Sequence, residues 1–237
     1  MRKTFIAVLL ACSCYVIHAQ RAVFIPQVGV QTFRSDVSSN SPLQGYKAYS
    51  PLSPTIGGRL MYISKKGHGP YIGFHVGDLT ISSYDSTRRL STGKTLYRYE
   101  AGYQWLSKPI YFKRIWENDV SREQFENLER KGLAVQLQPS IGAVYTRGTA
   151  GTNSYSLSGT NYAESAYRGN IGINTGLGMI FSNNGKSFLS LSVNYSKGFG
   201  DLYKSNLHSG NTAAYQTTKA SGWSFMMGVP ITLFKKK

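Results

Sequence analysis

Residues 133–146 read LAVQLQPSIGAVYT and alternate between two kinds of side chain. The odd-numbered positions are apolar or aromatic, whereas the even-numbered positions are mostly small or polar. Alternation with a period of two predicts a β-strand with one apolar face and one polar face. The stretch is longer than the roughly 5–6 residues of a typical globular strand. It is closer to the ~9–11 residues that cross a bilayer at a tilt. The stretch therefore predicts a membrane-spanning strand.

Seven further segments alternate in the same way. In chain order, the predicted strands lie at 22–33, 55–63, 70–79, 95–106, 133–146, 167–181, 187–199 and 223–234. An even number of antiparallel strands can close on itself and leave no unpaired edge, which hydrocarbon surroundings require. The pattern predicts an all-β fold, an eight-stranded antiparallel up-and-down transmembrane β-barrel.

The connectors between these strands differ in length in a regular way. Long connectors rich in Ser, Asn, Thr and Gly follow the first, fifth and seventh strands, at 34–54, 147–166 and 200–222, and a loop of middling length follows the third, at 82–94. Short turns, SKKGHG at 64–69 and SNNGK at 182–186, separate the second from the third strand and the sixth from the seventh. Long loops on one rim and short turns on the other are typical of outer-membrane barrels.

The N-terminus has the features of a secretory signal peptide. Two basic residues precede an apolar run that ends at a small residue, Ala19. We expect cleavage after Ala19, so that residues 1–19 are the leader and residues 20–237 form the barrel domain. A second interpretation is lipidation at Cys12, because residues 9–12 (LLAC) resemble a lipoprotein box. Both cysteines, Cys12 and Cys14, lie in the leader, so the exported chain can form no disulfide.

The formal net charge of +16 at pH 7 indicates anionic surroundings. Export makes a nucleic-acid partner the poorer interpretation, so we expect no nucleic acid and favour anionic outer-membrane lipid. Outside the leader, no apolar run approaches the ~18 residues of a membrane-spanning helix.

The connector between the fourth and fifth strands contains a predicted helical insertion at about 116–131. Ser121 and the residues up to Gln124 resemble a capping box, and Gly132 can end the helix. We interpret the stretch from Ser121 to Lys131 as a short amphipathic helix on the periplasmic side. It either packs under the barrel mouth or docks a periplasmic partner.

Signal peptide, eight alternating strands and loop asymmetry together resemble the small outer-membrane β-barrel proteins, the group of the OmpA membrane domain and OmpX-like proteins. The stretch from Gly228 to Phe234 is similar to the assembly signal of that group, a Gly followed by spaced apolar residues and an aromatic. The resemblance implies recognition of this last strand by the barrel-assembly machinery and location in the outer membrane of a Gram-negative cell. It covers residues 22–234 as a pattern and not as a specific motif, and three lysines follow Phe234.

The predicted interior contains one carboxylate, Glu100, and three candidate partners assigned to the same face: Arg59, Arg98 and Arg168. A charge in so narrow a lumen needs a partner and hydrogen bonds. We predict an interior ion-pair network that braces the barrel. A gated path for protons or ions is the alternative.

We expect no catalysis, no cofactor and no metal site. The exported chain has three histidines, His68, His75 and His208, and no cysteine. We interpret His68 as a solvated turn residue and His75 as a hydrogen-bonded interior residue. Three alternatives stay open: a lipid A-modifying outer-membrane enzyme, a component of an outer-membrane secretion or transport assembly, and a soluble secreted barrel with its apolar face inside.

The predicted outer loops carry Arg88, Arg89, Lys94 and Arg147 among Tyr, Ser, Gly and Asn residues. Such a mixture makes adaptable contacts in binding loops, and the cations can pair with lipopolysaccharide phosphates. We predict possible anion contacts at these four residues. Solvated loops without a ligand are the alternative.

Overall fold

A computed structural model describes residues 21–39, 47–49, 52–85, 88–112, 132–149, 154–157, 160–164, 169–209 and 212–235. Within these ranges the chain forms strands and no helix. The strands are β1 (Arg21–Gln31), β2 (Arg34–Ser39), β3 (Lys47–Tyr49), β4 (Ser53–Ile63), β5 (His68–Asp85), β6 (Arg88–Trp105), β7 (Ile110–Tyr111), β8 (Leu133–Gly148), β9 (Ser154–Leu157), β10 (Thr160–Glu164), β11 (Asn170–Asn183), β12 (Lys186–Gly198), β13 (Asp201–Ser209), β14 (Thr212–Lys219), β15 (Gly222–Gly228) and β16 (Ile231–Lys235).

Eight wall strands pair antiparallel with their neighbours and close into a barrel. The order around the wall is β1, β4, β5, β6, β8, β11, β12 and β15, and β15 pairs with β1 again. Every wall strand therefore has a neighbour on both sides, as a strand surrounded by hydrocarbon requires. The predicted eight-stranded antiparallel barrel is confirmed.

The two ends of the barrel differ, as the connector lengths indicate. Tight turns join β4 to β5 and β11 to β12, and we call this end the short-turn end. Its second turn is Asn184–Gly185, with φ of 50° and 75°, and positive φ at both central residues suits the twist of a two-residue hairpin. We call the opposite end the long-connector end.

Much of what the sequence suggested to be loop is strand at the long-connector end. The predicted loop at 82–94 continues the β5–β6 hairpin, in which Asp85 pairs with Arg88. Parts of the other long connectors form a second sheet with the order β2, β14, β13, β10, β9. Polar composition concealed these strands, because Ser, Asn and Thr suit a solvent-exposed ribbon as well as a loop.

The eighth wall strand is interrupted at Val229–Pro230, between β15 and β16. Proline has no backbone N–H and cannot donate to a sheet ladder. Beyond the interruption, β16 pairs with β1, and a register shift lies within this pairing between Ala22 and Val23. The alternation at 223–234 predicted one uninterrupted strand.

Several predictions fall outside the described residues. These are the leader 1–19 with its cleavage site, the helix from Ser121 to Lys131, and Arg168. In the part of the chain that is described, no helix is long and apolar enough to cross a membrane.

Candidate functional site

The barrel wall turns its polar side chains inward. The alternation in β8 appears directly as alternating burial, with Gln138, Ser140 and Thr146 buried and Leu137, Ile141 and Tyr145 exposed. The other wall strands follow the same rule. Buried polar residues of the wall include Gln27, Gln31, Thr55, Arg59, His75, Arg98, Glu100, Gln104, Asn174, Ser190, Ser192, Asn194, Ser196 and Ser224.

Glu100 lies at the centre of this interior and contacts two guanidinium groups. Arg59 Nη2 donates a hydrogen bond of 3.0 Å to Glu100 Oε2. Arg98 Nε lies 2.7 Å from Glu100 Oε1, although its N–H is not aligned for a hydrogen bond, so this contact is an ion pair at close range. All three side chains are almost completely buried, which makes their mutual contacts essential.

Arg98 also connects three wall strands through hydrogen bonds. Its Nη2 donates to Asn174 Oδ1 at 3.0 Å and to Ser196 Oγ at 2.5 Å. Ser196 Oγ in turn donates to Asn174 Oδ1 at 3.1 Å. Because these residues belong to β6, β11 and β12, the guanidinium braces the interior across the barrel.

Arg59 is held on its other side by an aromatic ring. Its Cζ lies 4.4 Å from the ring centroid of Tyr71, a cation–π distance. Tyr71 is 1% exposed, and its ring lies over Gly102 and Gly142. A Cβ added at Gly142 would lie 2.8 Å from the Tyr71 hydroxyl and 2.5 Å from the Ala101 carbonyl oxygen. The glycines therefore provide the space that the ring occupies.

His75 belongs to the same interior but makes a different contact. Its Nε2 and Gln27 Oε1 are 3.1 Å apart, and its Nδ1 lies 3.9 Å from Glu100 Oε1. His75, Glu100, Arg98 and Asn194 line a small cavity with room for about one water molecule. Both Asn194 Oδ1 and His75 Nδ1 are buried without a partner, so a water there can satisfy them.

Apolar side chains close the polar interior on both sides. We call the layer next to the long-connector end the outer cluster and the layer next to the short-turn end the inner cluster. The outer cluster consists of Leu79, Leu96, Leu202, Tyr203 and Ala220, with Phe33 packed against it. The inner cluster consists of Val23, Ile25, Met61, Ile63, Tyr71, Leu106 and Ile180. The charged network therefore lies between two apolar clusters.

The outer surface of the wall is apolar. Exposed wall residues include Val28, Ile56, Ile72, Phe74, Tyr99, Leu137, Ile141, Ile171, Leu177, Val193, Phe225 and Met227. Aromatic rings pair on this surface, among them Tyr103 with Trp105 and Tyr195 with Trp223, at centroid distances of 5.2 and 5.0 Å. The apolar set thus points outward, as expected from the aromatic residues near the strand ends.

The structure places the predicted anion contacts along one side of the long-connector end. The backbone of β6 carries Arg88 and Arg89 at the hairpin tip and Lys94 further along. Arg147 is an exposed residue of β8 and pairs with Tyr97.

The histidines differ in their surroundings. His68 starts β5, and its Nδ1 lies 2.5 Å from the Tyr103 hydroxyl oxygen, so the interpretation as a solvated turn residue was wrong. His208 lies in β13 opposite Ala213. In the described part of the chain, His, Cys, Asp and Glu residues form no group of three or more that could hold a metal ion.

The sequence pattern indicates the charges of the interior but not which polar groups bind them. Asn174, Ser196 and Gln27 all occupy inward positions in the middle of predicted strands. A polar residue at such a position is the signal that identifies them, because a buried polar group needs a partner. Tyr71 gave no such signal, because its side chain is largely apolar. Only the alternation of the neighbouring residues placed it on the inward face.

No protein-family model and no curated protein matches the chain. Among solved structures, it is similar to the outer membrane protein OprG from Pseudomonas aeruginosa, with a TM-score of 0.58 and 13% sequence identity. The alignment covers 91% of this chain and 97% of OprG. Two structures of Ail, the attachment invasion locus protein of Yersinia pestis, align with TM-scores of 0.35 and 0.34, identities of 10% and 12%, and coverage of 89% of this chain and 99% of Ail. The likeness to OprG shows the fold, that of an outer-membrane β-barrel protein.

Proposed function

We propose that this protein is an integral outer-membrane barrel that does not conduct and does not catalyse, and that acts through its surface at the long-connector end. One observation carries the proposal. The wall exposes an apolar face all round and encloses a charged network between two apolar clusters.

The apolar exterior supports location in a membrane. Contiguous apolar surface of this extent is not stable in water and marks a surface that meets lipid or another protein. Here it follows the whole wall, with residues such as Ile56 at 62% and Leu177 at 54% exposure on opposite parts of the barrel. Lipid is the partner that surrounds a barrel on every side.

The closed interior supports the absence of conduction. An eight-stranded barrel has an interior just wide enough for side chains to fill. Glu100 and Arg59 are 5% and 3% exposed, and an apolar layer separates them from each end. Ions crossing this lumen would have to pass both layers and break the Arg59–Glu100 pair.

Planar bilayer recording tests this closure. We expect no single-channel conductance from the reconstituted protein, provided that a parallel unboiled gel sample shows the mobility of a folded barrel. Replacing Leu202 by Ser in the outer cluster leaves the inner cluster intact, so we expect this variant to show no single-channel conductance either. Regular conductance steps from the folded wild-type protein would contradict the proposal.

Two of the three described histidines support the absence of catalysis, and the third, His208 in β13, lies at the long-connector end. A lipid A-modifying enzyme needs a base and a nucleophile, or an acid pair, at the outer rim. His75 is buried in the interior, and His68 lies at the short-turn end. Unchanged lipid A mass after gene deletion is the expected result, and loss of an acyl group or its addition would favour the enzyme.

At the long-connector end, we propose that Arg88, Arg89, Lys94 and Arg147 pair with lipopolysaccharide phosphates. Their backbone positions on two adjacent strands, β6 and β8, support this proposal because the cations share one side of the barrel. The Arg147→Gln and Lys94→Gln double variant should retain less lipopolysaccharide after detergent extraction than Lys197→Gln, which removes an exposed cation from β12. Equal retention by the two variants would contradict the contact.

One further partner acts in the assembly of the barrel. We propose that the barrel-assembly machinery recognises the last wall strand from Gly228 to Phe234. The pairing of β15 and β16 with β1 supports this, since this strand completes the closure of the wall.

A further inference from the structure

The short-turn end of the barrel carries cations and, among the residues that the structure describes, no carboxylate. Its basic residues are Arg21, Lys65, Lys66, Lys108, Lys186 and Lys235. The described carboxylates other than Glu100 all lie toward the long-connector end, at Asp36, Asp78, Asp85, Glu164 and Asp201. The sequence of residues 113–131 contains five basic and five acidic residues and adds no net charge.

Three of these cations concentrate on one sector of the rim. Arg21 at the start of β1 is directly opposite Lys235 of β16, and on its other side it is opposite Ile63 of β4. The turn that follows Ile63 contributes Lys65 and Lys66, which are both exposed. We call Arg21, Lys65 and Lys66 the rim cluster. Like charges on neighbouring strands repel, and an anion between them removes this repulsion.

Apolar and aromatic side chains adjoin the rim cluster on the outward face. Phe24 is 37% exposed, and Leu233 and Phe234 of β16 are 57% and 41% exposed. Ala22, which follows Arg21, is opposite Tyr62 of β4 on one side and Phe234 of β16 on the other. Together with Phe24 of β1, aromatic residues of three adjacent strands therefore lie next to the cations. Tyr and Trp side chains prefer the level of lipid headgroups.

We propose that the rim cluster binds the phosphate headgroup of an anionic phospholipid whose acyl chains lie against Phe24, Leu233 and Phe234. This inference rests on the proposed location in the outer membrane, where the short-turn end faces the periplasm and its phospholipid leaflet. The combination of cations with an adjoining apolar surface favours a lipid. A soluble polyanion would use the cations and leave the apolar part of the site unused.

Native mass spectrometry of the detergent-purified protein tests this binding. The probes are phosphatidylglycerol and phosphatidylethanolamine with the same acyl chains, added separately and as a mixture. We expect the protein to retain phosphatidylglycerol in preference to phosphatidylethanolamine. Each lysine close to an anionic lipid strengthens binding about fivefold, so the Lys65→Gln and Lys66→Gln double variant should bind phosphatidylglycerol about 25-fold more weakly.

The matched control is the Lys108→Gln and Lys186→Gln double variant. It removes two exposed cations from the same rim but from other sectors, and we expect it to bind phosphatidylglycerol within about twofold of the wild type. An equal loss in both double variants would overturn the rim cluster and indicate a diffuse effect of charge. Equal retention of the two lipids by the wild type would overturn the binding of an anionic lipid.

A third arm separates lipid from free phosphate. Glycerol phosphate carries the headgroup charge without acyl chains, and we expect that it does not displace phosphatidylglycerol at equal concentration. Displacement would overturn the lipid assignment in favour of a soluble anion. Unboiled gel mobility of each variant shows whether the barrel is folded, so that failure of the barrel itself is recognised separately from loss of lipid binding.

Discussion

At the scale of single residues, the interior depends on one carboxylate shared by two guanidinium groups. Glu100 is the one carboxylate among the buried residues that the structure describes, and Arg59 and Arg98 both contact it. A charge removed from water is tolerated only with a partner. Loss of the shared partner therefore affects both arginines at once.

Replacing Glu100 by Gln leaves two buried guanidinium groups without a counter-charge. We expect the free energy of unfolding to fall by about 3–5 kcal/mol, the cost of leaving buried charges unpaired. Urea titration of the protein refolded into lipid vesicles measures this change. Asp78→Asn is the matched control because Asp78 is exposed, and it should shift the free energy of unfolding by less than about 0.5 kcal/mol. A similarly small effect of Glu100→Gln would contradict the bracing role.

The space for Tyr71 gives a second prediction at this scale. A Cβ at Gly142 meets the Ala101 carbonyl oxygen at 2.5 Å, whereas a Cβ at Gly73 finds its nearest neighbour at 3.5 Å, an ordinary contact. We expect Gly142→Ala to lower the free energy of unfolding by about 1–3 kcal/mol through overpacking. Gly73→Ala should cost less than Gly142→Ala in the same urea titration. The reverse order would show that the ring does not depend on the glycine.

At the scale of elements, alternation predicted the wall and missed its extensions. Positions that face hydrocarbon and positions that face a polar interior differ sharply in side-chain polarity, so the sequence pattern predicts eight strands. The outer part of the β5–β6 hairpin lacks this contrast, since Ser82, Ser83 and Ser91 occupy both faces. The pattern of residues 82–94 therefore predicted a loop, although the strands continue to Asp85 and Arg88.

The hairpin extension offers a prediction of its own. We expect that replacing residues 82–91 by a two-residue turn leaves the barrel closed, because these residues lie beyond Leu79 and Leu96, the last residues of this hairpin in the outer cluster. Unboiled and boiled samples in SDS should still migrate differently. Replacing Leu96 by Asp instead buries a charge in the outer cluster and should lower the free energy of unfolding strongly. Loss of the mobility difference in the shortened protein would show that the extension is required for closure.

At the scale of the whole molecule, the sequence determines which face points outward, and packing determines what the interior can do. The fold class followed from two features alone, the two-residue period of apolar side chains and the lengths of the connectors. The two apolar clusters did not, because residues of one cluster come from distant segments, as Leu79 and Leu202 do in the outer cluster. The partners of Arg98 on β11 and β12 were likewise beyond prediction, since they depend on register and barrel size rather than on any local pattern.

The orientation of the two faces is the central claim, and β8 allows a direct measurement. The only cysteines are Cys12 and Cys14, so single cysteines can be introduced at each position from Val135 to Tyr145 in protein spanning residues 20–237. After nitroxide labelling and reconstitution into vesicles, power-saturation electron paramagnetic resonance reports the accessibility of each position to oxygen, which concentrates in lipid. We predict high oxygen accessibility at the odd-numbered positions and low accessibility at the even-numbered positions. High oxygen accessibility at the even-numbered positions, or water exposure at the odd-numbered ones, would contradict a barrel with its apolar face in the membrane.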